Sequence, residues 1–596
     1  MSRPRRKGAA DTAIPYESLL RNSTAEAVVR DGWVLGDYPA VPLQPPVDWA
    51  FKGEASRSHN YHLHALDPID PLLAADSAGR RSQGYLELAF AFAVDWARQH
   101  EDPADTGASP MAWYDMAVGL RAYRLAYVYD EARRRGLGTE AERDRLRRTL
   151  DAHREYLASD ERFAAHSNHG LYQACGQLAM ARRLSDLPGM PEAADQARRR
   201  LAAAIDYQFT REGVHREHSP GYHLRVLESL DGAESAGLLD TPELQAIVRR
   251  ARVALSWFVK PDGRIVNFGD TDEVRVNLAI TGGASPLGVK AFPESGYFVA
   301  RTLGSYLAQT LAYHSRTHKH ADDLSFVWCE QGRDILIDAG RYGYRGRTRT
   351  SDALWKRGFW YDDPNRVFVE STHAHNTVEV DGLSYDRRNE PPYGSALIAA
   401  DHTPEGLAFS VGEVDHGPLG VHRRLLVLMR AKWLLVIDRL ARPDGRQAGL
   451  LGPFAPPTRQ WFHFAPDLEV SPASGGAVRI AQPDGGLKLT MQSLVGGVAA
   501  SRVARGQLKP RMQGWTSPRG GVMLPASAVA METSARPALF ATLLHLGEAP
   551  VTRPRAEIAD GGDRLELTWS AGDQPARVTV TDFLTNPRVT RAIGER

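Results

Sequence analysis

Three short stretches concentrate groups that can move protons or hold anions: AAHSNHGLYQ with Asn168 and His169, REHSPGYHLRV with Glu217 and Tyr222, and HSRTHKHADDLSF with His318 and His320. Each also has a bland explanation. His169 after a polar loop could cap a helix or lie on the surface, and Tyr222 at a helix start could be half-buried packing. The HKH triplet is more informative. On a strand, residues i and i+2 share a face, so His318 and His320 would project together while Lys319 turns away. With Asp338 at the end of DILIDAG and His375 in THAHNTVEVDG, two imidazoles and a carboxylate form a set suited to zinc with open positions. The alternative is three unrelated polar residues on separate strands, since these positions form no compact motif.

The elements that would position these groups fall into two classes. From about residue 84 to 258 the apolar pattern has helical period: Met116, Leu120, Tyr123 and Tyr127 share one face. Similar stretches recur around 140–158, 170–184, 191–208, 222–237 and 241–258, joined by segments rich in Gly, Pro, Asp and Ser, where Thr139 and Thr241 can cap the following helices. After PDGRIVNFGD the period changes to short β-rich runs bounded by turns, such as GYFVARTL, RRLLVLMRAKWLLVIDRL and RLELTWSAGDQPARVTVTDF. Strands without helical crossovers predict an antiparallel sandwich of two stacked sheets. The boundary falls near residue 285, and the first 50 residues read as an extension with little defined structure. The fold class is thus multidomain α+β, with antiparallel helical hairpins over 51–285 and a β-sandwich over 286–596.

Composition excludes several function classes. In 596 residues, 73 Lys and Arg against 72 Asp and Glu leave a net charge of +1, with no global field to hold nucleic acid or an anionic membrane. Any anionic substrate must be met locally. Cys175 and Cys329 are the only cysteines, which excludes a disulfide framework and a thiol-rich metal site. Arg dominates the basic residues, which biased genome composition explains. No apolar run reaches the roughly 18 residues of a membrane span. The opening MSRPRRKGAADTAIPYES has no apolar stretch after its basic start, so the expectation is a cytoplasmic protein, or a periplasmic one if a leader precedes this sequence.

Taken in order, SRSHNYHLHAL, WYDMAVGLRAY, the SNHG step, EHSPGYH, HKHADDLSF and THAHNTVEVDG resemble the heparinase II/III-like polysaccharide lyases. The resemblance runs from about residue 50 onward. It implies an incomplete N-terminal (α/α) toroid followed by an antiparallel β-sandwich, an acidic polysaccharide or oligosaccharide as substrate, and an oligomeric state that includes the option of a homodimer. By the same resemblance, the carboxylate-neutralising Asn falls on Asn168 with His169 beside it, the toroid Tyr on Tyr222, the sandwich-domain His on His318 and a second Tyr on Tyr361. The family's zinc ligands fall on His320, Asp338 and His375, with a structural role.

The implied chemistry is β-elimination. The proton at C5 of a uronate is weakly acidic because its removal adds charge beside an ionised carboxylate, so donors such as Asn168 and a protonated His169 must absorb that charge. A base reaches C5 and an acid reaches the bridging oxygen. His318 suits the base and Tyr222 the acid, although Tyr222 or Tyr361 could do both when proton and leaving group share a face. Trp113, Tyr114 and Tyr61 are candidate stacking surfaces, with core packing as the alternative. Two other readings compete: a toroid glycoside hydrolase using Asp115 with Glu217 or Asp270, and a glycan-binding protein with idle groups. No dense Lys and Arg cluster is evident around the cleft, which points to weakly sulfated or unsulfated uronates.

Overall fold

A computed structural model describes residues 24–35, 38–49, 56–80, 84–104, 109–404, 406–441, 457–535 and 537–593. The chain gathers into two compact units: residues 1–209 with 225–250, and residues 210–224 with 251–596. Much of the expected N-terminal extension lies outside the described residues. Its described part forms the helix Ala25–Asp31, capped by Thr24, and a bridge between Trp33 and Val41.

The first unit is built from antiparallel helix pairs of the (α/α) toroid type. Its central helix, Asp115–Arg135, is buried on nearly every side and packs against Asn168–Arg183, which packs in turn on Met190–Gln208. Glycine sets the closest crossing: a Cβ on Gly176 would stand 1.9 Å from the carbonyl oxygen of Gly119. Only two residues without side chains allow backbones this close. Arg124, fully buried on the central helix, is held by Asp70 and, at 2.9 Å, by Asp67. Thr139 caps Glu140–Ala158 through a reciprocal box with Glu142, as the sequence predicts. Among the described residues no helix is long and apolar enough to cross a membrane.

The second unit is antiparallel throughout its main sheets. An eight-stranded sheet runs Glu469–Pro472, Val478–Ala481, Lys488–Ser493, Ala538–Leu546, Trp433–Ala441, Val421–Met429, Leu407–Asp415, Leu397–His402. Successive residues of its central strands enter different cores. Leu426, Leu428, Leu434 and Val436 join Phe298, Trp328, Phe462 and Val529 on one side. Leu425, Val427, Leu435 and Ile437 join Leu567, Trp569 and Val578 on the other. A sheet buried on both faces needs continuous rather than alternating apolar strands, which is what RRLLVLM and WLLVID supply. The sandwich is therefore a stack of three layers rather than two. A five-stranded sheet and a four-stranded sheet cover one face of the long sheet, and the C-terminal four-stranded sheet covers the other.

One buried ion pair ties this stack to the segments that carry His320 and His375. Arg424, fully buried, donates to both carboxylate oxygens of Asp438 at 2.7 Å. It donates as well to the carbonyls of Leu324, at 2.8 Å, and of Asn376. Asp438 also accepts from His422 and Gln460. Burial alone would raise the Asp438 carboxyl, but Arg424 and His422 outweigh it and hold it well below the usual range. Its contribution to stability is present above the unfolded carboxylate value of about 3.9 and is lost as pH falls through the depressed folded value. The Arg424→Leu protein is expected to lose about 3–5 kcal/mol in urea unfolding at neutral pH, because Asp438 would be left charged and unpaired. The gap should narrow in acid.

Candidate active site and metal group

In the first unit, Asn168 is the first residue of its helix, and the N-cap is Ser167, whose Oγ accepts from the His169 backbone N–H at 3.2 Å. Both side chains are half-buried. His169 Nδ1 meets Asp115 Oδ2 at 3.2 Å, which fixes the ring, and Tyr114 stands edge-on to it at 5.8 Å. An amide, an imidazole and the first N–H groups of a 16-residue helix form a set of donors suited to a carboxylate.

The second unit contains Tyr222, in the first turn of Pro220–Ser235, together with His318. Their rings stack, with centroids 3.6 Å apart and planes 18° from parallel. The HKH triplet does not lie on a strand as expected. It follows a turn in which His318 takes a φ of 57°, and Lys319 turns inward to ion-pair with Asp322 and Asp323. His318 and His320 are fixed by different carboxylates as a result. Glu217 Oε2 accepts from His318 Nδ1 at 3.0 Å, leaving Nε2 as the basic nitrogen. His320 Nε2 meets Asp270 Oδ1 at 2.9 Å.

Asp270 is the hub of the site. Arg366 binds both of its oxygens, and Tyr344 donates to Oδ2 at 2.9 Å. Burial acts to raise this carboxyl, yet Arg366, His320 and His318 together hold it well below its ordinary value. With both oxygens occupied and its charge fixed, Asp270 makes a poor general acid or base for glycoside hydrolysis. The Tyr344 hydroxyl lies 3.0 Å from that of Tyr222. Since Tyr344 gives its proton to Asp270, its oxygen accepts from Tyr222. Burial and the Asp270 charge push the Tyr344 phenol well above its usual value, so it stays protonated. Tyr361 stands one ring farther along, 5.3 Å from Tyr344.

His320, Asp338 and His375 converge: one ligand atom from each lies within 4.8 Å of the others, and all three residues are buried. Among the described residues, His320 Nδ1 and His375 Nε2 have no hydrogen-bond partner. A buried, unpaired polar nitrogen costs about 1–3 kcal/mol, so two of them beside one carboxylate fit a divalent metal better than a packed core. Asn376 draws the three ligand segments together, donating to the carbonyls of Phe326 at 2.8 Å and Ile337 at 2.9 Å while its Oδ1 accepts from His463 N. Asp270, on the second nitrogen of His320, is placed as an outer carboxylate that would orient this imidazole toward a metal.

The Heparinase II/III N-terminus family model matches residues 13–295, and the Heparinase II/III-like, C-terminal model matches residues 284–537. The chain belongs to the heparinase II/III-like family. It is therefore a member of a polysaccharide lyase family. No curated protein is significantly similar in sequence. Solved structures share the fold at low identity. A mutant of heparan sulfate lyase HepC from Pedobacter heparinus is 18% identical, with 97% of this chain and 90% of that chain covered at a TM-score of 0.67. A heparinase III is 13% identical over 96% of this chain and 91% of its own, with a TM-score of 0.70. A Paenibacillus xanthan lyase is 10% identical over 97% of this chain and 64% of its own, at 0.52.

For this heparinase II/III-like chain, sequence reasoning missed Tyr344 and Arg366, and it noticed Asp270 only as a hydrolase carboxylate. Tyr344 stood close behind Asp338 in DAGRYGY, but nothing in that spacing announces a hydroxyl pair. The metal group yields a direct prediction. Elemental analysis of purified protein should find about one divalent metal per chain, and Asp338→Asn or His375→Gln should lose it. Prolonged chelation should lower the melting temperature by several degrees, as expected for loss of a ligand bound only by the folded state.

Proposed function

We propose that the protein cleaves a uronic-acid-containing polysaccharide or oligosaccharide by β-elimination. The observation that carries this reading is the stacked pair of Tyr222 and His318, one ring nitrogen of the imidazole held by Glu217 and the phenol hydrogen-bonded to Tyr344. His318 Nε2 removes the C5 proton of the uronate. The electron pair forms the C4–C5 double bond, the C4–O bond breaks, and the leaving oxygen takes the Tyr222 proton. Asn168 and His169 donate to the carboxylate as it acquires enolate character. When Tyr222 gives up its proton, the Tyr344 O–H can turn from Asp270 to the new phenolate. Water takes no part.

His320, Asp338 and His375 would hold zinc, a metal suited to two imidazoles and a carboxylate. Its contribution there would be to cross-link three segments of the second unit, since elimination needs no activated water.

The test is an absorbance assay on heparan sulfate, heparin, alginate and unsulfated glucuronans: a lyase generates an ultraviolet-absorbing double bond, whereas a hydrolase raises reducing ends without it. His318→Ala is expected to lower kcat by about 10²–10⁴-fold. Asn168→Ala should cost about 10²–10³-fold, mainly in kcat. Tyr344→Phe should cost about 10–100-fold, the worth of one hydrogen bond to a charged oxygen. Wild-type levels of double-bond formation in His318→Ala would defeat the assignment of the base.

A further inference from the structure

Beside the tyrosines of this site runs the segment GRYGYRGRTR, residues 340–349. In sequence its arginines are a few among many. In the structure they divide into two kinds. Arg341 is spent internally, its Nε bonded to Asp272 at 2.9 Å. Arg345, Arg347 and Arg349 are exposed, and none of them forms an ion pair among the described residues.

The backbone explains why these three point outward. The start of the segment is pinned by Ser517 and Gly521, whose N–H groups bind the carbonyls of Ala339 and Tyr342, each at 2.7 Å. Gly346 is exposed and takes a φ of 65°, a conformation that favours glycine, with the Asp362 carboxylate beside it. Thr348 is buried and bonds to Phe359 O at 2.8 Å and to Trp360 O at 3.1 Å. Thr348 faces inward as an anchor while its neighbours Arg347 and Arg349 are displayed, and Arg345 is exposed as well. This segment thus displays three guanidinium groups that have no ion-pair partner among the described residues. Arg345 directly follows Tyr344, which places the start of the row next to the hydroxyl pair.

We infer that Arg345, Arg347 and Arg349 form an anion-binding row that grips the sugars flanking the one being cleaved, so that the substrate bears sulfate or carboxylate on those neighbours. The inference rests on the lyase reading for its location in the reaction, but not for the binding itself. Guanidinium groups match both anions through paired N–H donors. Like charges held side by side repel one another, and a polyanion relieves that repulsion.

The experiment compares wild type with the triple variant Arg345→Gln, Arg347→Gln, Arg349→Gln, and with a control that removes three exposed arginines of the C-terminal sheet, Arg553→Gln, Arg564→Gln, Arg588→Gln. Kinetics are read on heparan sulfate, on its unsulfated backbone and on alginate. Binding of hexasaccharides from each is read by calorimetry in a His318→Ala background at several salt concentrations. The triple variant should raise KM and Kd at least about tenfold with kcat retained, and should flatten the salt dependence, while the control stays near wild type. A loss confined to heparan sulfate assigns the row to sulfate, and equal loss on the unsulfated polymers assigns it to carboxylates. No difference between the triple variant and wild type with any polymer, or an equal loss in the control, overturns the row. If wild type binds through the row yet forms no double bond on any polymer, the lyase reading fails and the row stands.

Discussion

The second unit depends on the buried pair of Arg424 and Asp438. A guanidinium without water must find acceptors for its N–H groups, and Arg424 finds them in Asp438 and in the carbonyls of Leu324 and Asn376. Those carbonyls belong to the segments that carry His320 and His375. The cost of burying one ion pair is therefore converted into fixed positions for two proposed metal ligands. Asn376 continues the work by bonding beside Asp338 and beside the strand that follows His320. A core of leucine and valine would give the layers their cohesion, but it would not say where a loop must stop.

Asp270 plays the corresponding part nearer the reacting groups. It joins His320, Arg366 and Tyr344, and through Tyr344 it reaches Tyr222. A carboxylate held ionised in this way cannot easily take a proton, so protons on its neighbours stay where they are. Tyr344 keeps its hydrogen on Asp270, and Tyr222 is left to donate. The direction of the hydroxyl chain thus follows from a charge several atoms away from any substrate.

How much of this was readable beforehand depends on what each residue must do. Helices with a 3.6-residue apolar period and caps such as Thr139 declare themselves, because their pattern is local. The central strands were legible as strands, but their double-sided burial lay in continuous runs such as RRLLVLM, which were taken for one layer of two. The order of the family motifs pointed to His320, Asp338 and His375, and the chain brings these three together although long stretches separate them. The HKH triplet misled on geometry: alternation along a strand predicts a shared face, whereas a left-handed turn at His318 and a buried Lys319 decide the arrangement. Tyr344 and Arg366 gave no signal, since their roles exist only through Asp270.

Net charge was the least informative property of all. A value of +1 describes a sum in which many arginines are already answered, as Arg124 is by Asp67 and Asp70, Arg366 by Asp270 and Glu370, and Arg424 by Asp438. Field at a surface comes from the groups left over. Counting basic residues along the chain treats Arg341 and Arg347 alike, although one is paired with Asp272 and the other faces solvent. Only when the partners are known does a stretch of arginines divide into structural charge and charge available to a ligand. Anchors such as Thr348, buried and bonded to the Phe359 carbonyl, make that division, because they determine which side chains can turn inward toward a carboxylate and which must wait for one from outside.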